Sequence, residues 1–332
     1  MLQKATQLLQ QAVDKNQIPG AALGIVHLNG TSEVYWAGVK HLEKPGPVTP
    51  ETLFDLASLT KVLFTVPQVL KLVEDGLADL DDPLSSFLPE LSWMQNSQLP
   101  QRTLRQFLTH VSGLPAWEPM YTWGTNPGLL KQRVLQHRWE VKPAGEHLYS
   151  DIGYILLGLV LERLRGKPLA QFDLPAGFTF NPKNPEDCAA TENDPWRGRV
   201  LQGEVHDENC FALGGATGHA GLFGSLRAIL AYAQDLINGK VVSKAALAEM
   251  RRPQHAERAL GWQIPTPQFS GGSLCSPQTL GHTGFTGTGV WMDFGHGYAW
   301  TLLTNRIHPS RHRETGIFEL RKAVGNAIAA SF

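Results

Sequence analysis

Residues 55–65 read DLASLTKVLFT. Ser58 and Lys61 stand three apart at the front of an apolar run that continues to Leu72, and residues three apart share one face of a helix. Each has an ordinary structural explanation. A serine hydroxyl caps free backbone N–H groups at a helix start, and a lysine can bury its stem while its ammonium stays in water. The pair also has a chemical explanation. A serine is a poor nucleophile until a neighbouring base takes its proton, and a lysine can do so if burial or another cation lowers its pKa. A helix N-terminus adds N–H groups where an oxyanion would form. The surrounding chain decides between the two.

Two β-rich runs precede this segment, AALGIVH (21–27) and EVYWAGV (33–39), separated by the hairpin signal LNGTS. From 58 to about 250 the pattern is mainly helical, over 58–75, 103–110, 127–137, 150–165, 225–238 and 243–250, with a Pro/Asn/Asp-rich loop at 180–196. β character returns at 260–264, 278–284, 288–294 and 298–305, and a final helix is expected over about 314–331. A lone hairpin is marginal in water, so the early and late strands should join in one antiparallel sheet, with the first and last helices covering its faces. That is an α+β layer architecture. It implies a discontinuous sheet domain, 1–57 with 251–332, and a mainly helical inserted domain, 58–250. Clefts form where such units meet, and Ser58 sits at the junction.

Composition excludes several classes. The 332 residues carry 29 basic and 30 acidic side chains, so no charge excess points to nucleic acid or an anionic membrane. Hydrophobic content of 42% and charged content of 18% fit a folded globular chain. The N-terminus lacks the basic start and apolar block of a signal peptide. The longest apolar stretch, IGYILLGLVL (152–161), is too short to span a bilayer. A cytoplasmic protein without a membrane span is expected. The three cysteines, 188, 210 and 275, form no C-x-x-C, which argues against a disulfide framework or a zinc knuckle. His206, Asp207, Glu208 and His219 lack metal-ligand spacing, so neither a metal nor an organic cofactor is expected. His219 reads as a hydrogen-bonded structural histidine or a substrate contact. Trp117, Tyr121 and Trp123 read as pocket wall or as aromatic packing.

Two further pieces complete the chemical explanation. YSD (149–151) lies in the helical middle and HTG (282–284) on a late strand. A tyrosine near the lysine can share a proton relay, and a glycine-containing strand edge can supply a second oxyanion donor. The ordered set S-x-x-K, Y-x-D and H-T-G, within FDLASLTKV, TLRQFLTHVSGLP, YSDIGYILLG, GHAGLFGS and GHTGFTGTGVW, resembles the serine β-lactamase and penicillin-binding protein superfamily. The likeness is nearest its class C β-lactamase-like branch and runs from about residue 18 to 305.

The resemblance implies a serine hydrolase acting through an acyl-enzyme. Ser58 would be the nucleophile, Lys61 and Tyr149 the pair that takes and returns its proton, and the backbone N–H groups of Ser58 and Phe285 the oxyanion hole. Asp151, His282, Thr283 and Gly284 would face the substrate, with His219 as a further contact. Two positions depart from the pattern. Asp151 stands where lactamases and peptidases usually carry Asn. A carboxylate only accepts hydrogen bonds, and beside Lys61 it would favour the ammonium. Asp151 is therefore expected to pair elsewhere, or to favour an ester, an amine or an N–H-rich substrate. His282 stands where lactamases usually carry Lys, and histidine ordinarily titrates near neutrality. The substrates implied are a muropeptide or D-amino-acid peptide amide, with a small carboxylic ester or a slow penicillin-sensing role as alternatives.

Overall fold

A computed structural model describes residues 2–94, 98–255 and 257–332. The chain opens with helix α1 (Gln3–Asp14) and the hairpin of β1 (Gly20–His27) and β2 (Ser32–Gly38). The middle includes helices α2 (Val66–Glu74), α3 (Asp151–Arg165) and α4 (Leu226–Ile237). Strands β3 (Thr279–Thr283), β4 (Gly289–Asp293) and β5 (Tyr298–Thr304) and helix α5 (Ile317–Ala329) complete it. The five strands form one antiparallel sheet, in the order β2-β1-β5-β4-β3. Early and late strands meet at β1 and β5, where Leu23 lies opposite Leu302 and Ile25 opposite Trp300. No helix among the described residues is long and apolar enough to cross a membrane.

Successive side chains on a strand point to opposite faces, and the two faces take different covers. Ala21, Leu23 and Ile25 pack with Ala5, Leu9 and Ala12 of α1 and with Val324 and Ile328 of α5. Ala22, Val26, Val290 and Leu303 pack instead with Leu226, Ile229, Leu230 and Ala233 of α4. Both terminal helices therefore share one face, and a helix from the middle of the chain covers the other. The buried stripe of α1 is narrow, only Ala5, Leu9 and Ala12, so α5 is needed beside it to cover that face. The core under α4 runs on without a break into the apolar faces of α2 and α3.

Two local features depart from the expected elements. The expected helix does not run evenly from 58, because Lys61–Thr65 form a wide π turn before α2. Pro67 gives the reason: it offers no N–H and its ring crowds the carbonyl four residues back, and π turns accommodate such a break, often at functional sites. Residues 260–264 form no strand. Gly261 takes a φ of +78°, leaving only isolated bridges, from Gln263 to Gly281 and to Arg258.

Candidate active site

Ser58 follows a backbone held in an unusual conformation. Ala57 has a φ of +46°, a region costly for a residue with a Cβ and found where surrounding structure over-determines it. Buried Asp55 supplies that determination: its carboxylate accepts from Ala57 N at 2.8 Å and from His206 N at 2.6 Å. Burial nonetheless pushes the Asp55 carboxyl above its usual range.

Lys61 lies one turn on, wholly buried. Its Nζ donates to Ser58 Oγ at 3.0 Å and to the His219 carbonyl at 3.3 Å. It also forms an ion pair with Asp151 Oδ1 at 2.7 Å and lies 4.8 Å from the centre of the Tyr149 ring. Burial alone would lower the Lys61 pKa, but Asp151 and Tyr149 outweigh it and the net direction is upward. The sequence allowed Asp151 to pair elsewhere and required a lysine lowered towards neutrality. The structure shows the opposite arrangement: an ammonium held by the neighbouring carboxylate.

Tyr149 and Asp151 are presented by the start of α3. Ser150 caps that helix, accepting from Gly153 N and donating to the Pro115 carbonyl at 2.6 Å, while Asp151 N donates to the Ala116 carbonyl. The histidine of LTHVSGLP completes the support. His110 Nδ1 accepts from Ser150 N at 3.0 Å, and its ring lies 4.4 Å from that of Tyr149. Burial, then the charges of Arg258 and Lys61, hold the His110 pKa well below the usual value.

His282 sits behind Tyr149, with ring centres 6.1 Å apart. It is 3% exposed, and its Nδ1 donates to the Thr283 carbonyl at 3.0 Å. Burial and the charges of Arg258 and Lys61 hold its pKa well below the usual value. It does not titrate near neutrality as its residue type led one to expect, and the cleft lining takes Phe285, not His282, from this stretch.

The HTGFTGT loop is stitched to the strand before Ser58. Thr286 Oγ1 donates to the Asp55 carbonyl at 2.7 Å and Thr288 Oγ1 to the Leu56 carbonyl at 3.2 Å. Gly284 closes the turn by donating to Thr288 O at 2.8 Å. A Cβ there would lie 2.1 Å from Thr288 Oγ1 and 2.6 Å from Leu56 O, so only glycine fits. Half-buried Thr283 precedes it. From the far side, Arg321 of α5 donates to the carbonyls of Gly284 and Thr288 at 3.0 and 2.7 Å. Among the described residues, neither Ser58 N nor Phe285 N donates to another protein group. Unpaired N–H groups at a cleft wall are the donors an oxyanion needs.

Ser58, Tyr149 and Asp151 open on a cleft of about 380 Å³, lined also by Trp117, Tyr121, Asp207, Glu208, His219, Phe285 and Arg311. A larger cleft of about 830 Å³ lies by β3 and holds none of the residues named for chemistry. Trp123 lies outside that lining, stacked on His137 with centres 4.6 Å apart. His219 is 1% exposed, and both ring nitrogens are committed, to Asp207 Oδ1 at 2.9 Å and Thr217 Oγ1 at 2.8 Å. That bracing supports its structural reading. The fold also gathers ligand atoms of Asp151, Asp207 and His219 within 4.8 Å of one another, which no spacing in the sequence revealed. The Lys61 ammonium already occupies the Asp151 oxygen, and Asp207 the His219 Nε2.

Three contributors escaped the sequence reading: Asp55, Arg258 and Arg321. An acid inside the apolar FDLAS was the one signal for Asp55; the arginines lie in no motif.

Known proteins resemble this chain in sequence and in fold. The model of the family described as Beta-lactamase matches residues 5–324. An Escherichia coli (strain K12) protein, provisionally named a D-alanyl-D-alanine carboxypeptidase, is 33% identical over 80% of this chain and 72% of its own length. A class C β-lactamase from Rhodobacter sphaeroides superposes with a TM-score of 0.73 at 21% identity, covering 98% of this chain and 99% of its own. A D-amino acid amidase from Ochrobactrum anthropi SV3 gives 0.72 at 23% identity, covering 99% and 98%.

Proposed function

The chain belongs to the Beta-lactamase family and is a serine hydrolase, and from that premise we propose that it cleaves an amide in a cell-wall-derived muropeptide or D-amino-acid peptide through an acyl-enzyme on Ser58. The observation that carries the proposal is the 3.0 Å contact between Lys61 Nζ and Ser58 Oγ, made at a cleft wall with two uncommitted N–H groups. The likeness to the carboxypeptidase-named relative and to the D-amino acid amidase supports the substrate class. In the first step Ser58 Oγ bonds to the substrate carbonyl carbon as its proton passes to the Lys61–Tyr149 pair. The oxyanion draws on Ser58 N–H and Phe285 N–H. Collapse breaks the bond to the leaving group, which takes the proton from the pair. Water, activated by the same pair, then cleaves the ester to free Ser58.

A small ester is the second reading, and Asp151 favours it. Its carboxylate cannot donate to a substrate carbonyl as an amide would, and an ester leaving group needs less protonation than an amine.

Intact mass after treatment with a fluorophosphonate or β-lactam should show one adduct, absent in Ser58→Ala. An adduct persisting in Ser58→Ala would refute the nucleophile. Repeated turnover of muropeptides, D-amino-acid amides or p-nitrophenyl esters separates an amidase from an esterase. A single unreleased acylation would identify a sensor.

A further inference from the structure

Behind Tyr149, away from the cleft, lies a buried cation without an anion. Arg258 is 5% exposed. Its Nε donates to His147 Nε2 at 3.1 Å, and its Nη1 has no partner. No carboxylate forms an ion pair with it among the described residues; Glu257, its chain neighbour, is exposed. Its guanidinium carbon lies 5.5 Å from the centre of the Tyr149 ring. An unpaired charge is costly to bury, and buried groups without partners concentrate where a protein uses them.

The titratable and charged groups around Tyr149 narrow what that use is. Lys61 faces the ring from the nucleophile helix, and Asp151 and Tyr154 stand on α3. Tyr154 donates its hydroxyl proton to the Leu108 carbonyl. His110 and His282 pack against the ring from two further elements, with His147 beyond His110 at 6.1 Å. Burial keeps His110 and His282 neutral. The cations at the ring are therefore Lys61 and Arg258, and Lys61 is already matched by Asp151 at 2.7 Å. A protonated lysine cannot take a proton from Ser58. Tyr149 can, provided something stabilises its phenolate.

We propose that Arg258 is a positioning residue for the reaction: its guanidinium stabilises the phenolate of Tyr149, so that Tyr149, and not Lys61, accepts the Ser58 proton. The proposal rests on Ser58 being the nucleophile. The proton moves from Ser58 Oγ to the phenolate oxygen as the Oγ–carbon bond forms, and returns from the phenol to the leaving group as the tetrahedral intermediate collapses. Lys61 remains an ammonium throughout, donating to Ser58 Oγ.

The test is the rate of fluorophosphonate labelling between about pH 5 and 10, by intact mass, in wild type, Arg258→Met, Arg258→Lys, Tyr149→Phe and Tyr149→Phe/Arg258→Met, with thermal midpoints taken in parallel. Arg258→Met should label about ten-fold more slowly near neutrality, its acid limb displaced upward by about one pH unit and its alkaline plateau largely kept. Arg258→Lys should recover part of that displacement. Arg258→Met should cost nothing further in Tyr149→Phe, as expected of two residues acting as one unit. A uniform loss at every pH, or a further loss in the Tyr149→Phe background, would overturn the proposal and make Arg258 a scaffold residue. An unmoved profile with weaker binding only of carboxylate-bearing esters would overturn it too, assigning Arg258 to the substrate. Undiminished labelling of Ser58→Ala would instead remove the nucleophile on which the proposal stands.

Discussion

The two sides of Tyr149 solve the problem of buried charge in opposite ways. On the cleft side each of the principal charges has a partner. Lys61 meets Asp151 at 2.7 Å, Asp207 meets His219 at 2.9 Å, and Arg311 meets Glu208 at 2.7 Å and Glu192 at 2.5 Å. Glu192 is held at about 2, burial being overcome by His206 and Arg311. Behind Tyr149, among the described residues, Arg258 forms no ion pair with a carboxylate, and Nε2 of both His110 and His282 lacks a partner. Fixed, paired charges give a cleft whose dipoles need not reorganise when a reaction passes. Unpaired groups keep a standing electrostatic bias, at the expense of their own desolvation. Tyr149 stands where the two meet.

The hardest test of the cleft side is Lys61. Lys61→Met keeps the chain length but removes the donor to Ser58 Oγ and the counter-charge of Asp151. A loss of roughly a hundred- to a thousand-fold in kcat/KM is expected, as when a preorganised hydrogen-bond donor is removed from a reacting centre, with folding retained by circular dichroism. Near-normal turnover would show that the paired ammonium is not needed, and the contrast between the two sides would lose its meaning.

Asp151→Asn breaks the same pair from the other end and should do less. Without the carboxylate, burial lowers the Lys61 pKa unopposed by its largest counter-charge, so its neutral form appears at lower pH. The amide can also donate to a substrate carbonyl. About 1 kcal/mol from that hydrogen bond amounts to about a five-fold gain in acylation by an amide or β-lactam. A p-nitrophenyl ester should change less. Nitrocefin and ester rates across pH, for wild type and Asp151→Asn, read the difference. An equal loss on both would place Asp151 inside the catalytic machinery.

The rear side is tested by stability. His110 and His282 have folded pKa values well below 6.5, whereas in the unfolded chain they protonate near 6.5. The unfolded state therefore binds more protons below that pH, and stability is full above it and falls as pH drops. Each histidine contributes up to about 1.4 kcal/mol per pH unit until its folded pKa is reached. Urea unfolding at about pH 7, 6 and 5 should show this slope, and His282→Gln should flatten it by up to half the two-histidine contribution. An unchanged slope would mean that His282 is protonated in the fold and that the rear side is not kept neutral.

The strands were legible because their alternation of apolar and polar residues, bounded by turn residues, is local. Expected runs at 21–27, 33–39 and 298–305 match strands at Gly20–His27, Ser32–Gly38 and Tyr298–Thr304 to within a residue at either end. The expected strand at 260–264 failed on Gly261, whose left-handed φ breaks an extended run and whose site admits no side chain: a Cβ there would lie 2.5 Å from Val66 Cγ2. The cover of the sheet was misjudged because the apolar stripe of α4 looks the same whether it faces helices or a sheet.

What the sequence determined by itself was the set of candidate site residues. The three-residue spacing of Ser58 and Lys61 puts them on one face, and the order of the SLTK, YSD and HTG motifs marks the family, since both are properties of the chain alone. What only the tertiary structure decided is the state of those residues. Lys61 is held as an ammonium because Asp151, distant in sequence, arrives at 2.7 Å. His282 is held neutral because burial and Arg258 oppose its proton. Ionisation depends on desolvation and on charges brought close through space, and a linear sequence specifies neither until the chain has folded.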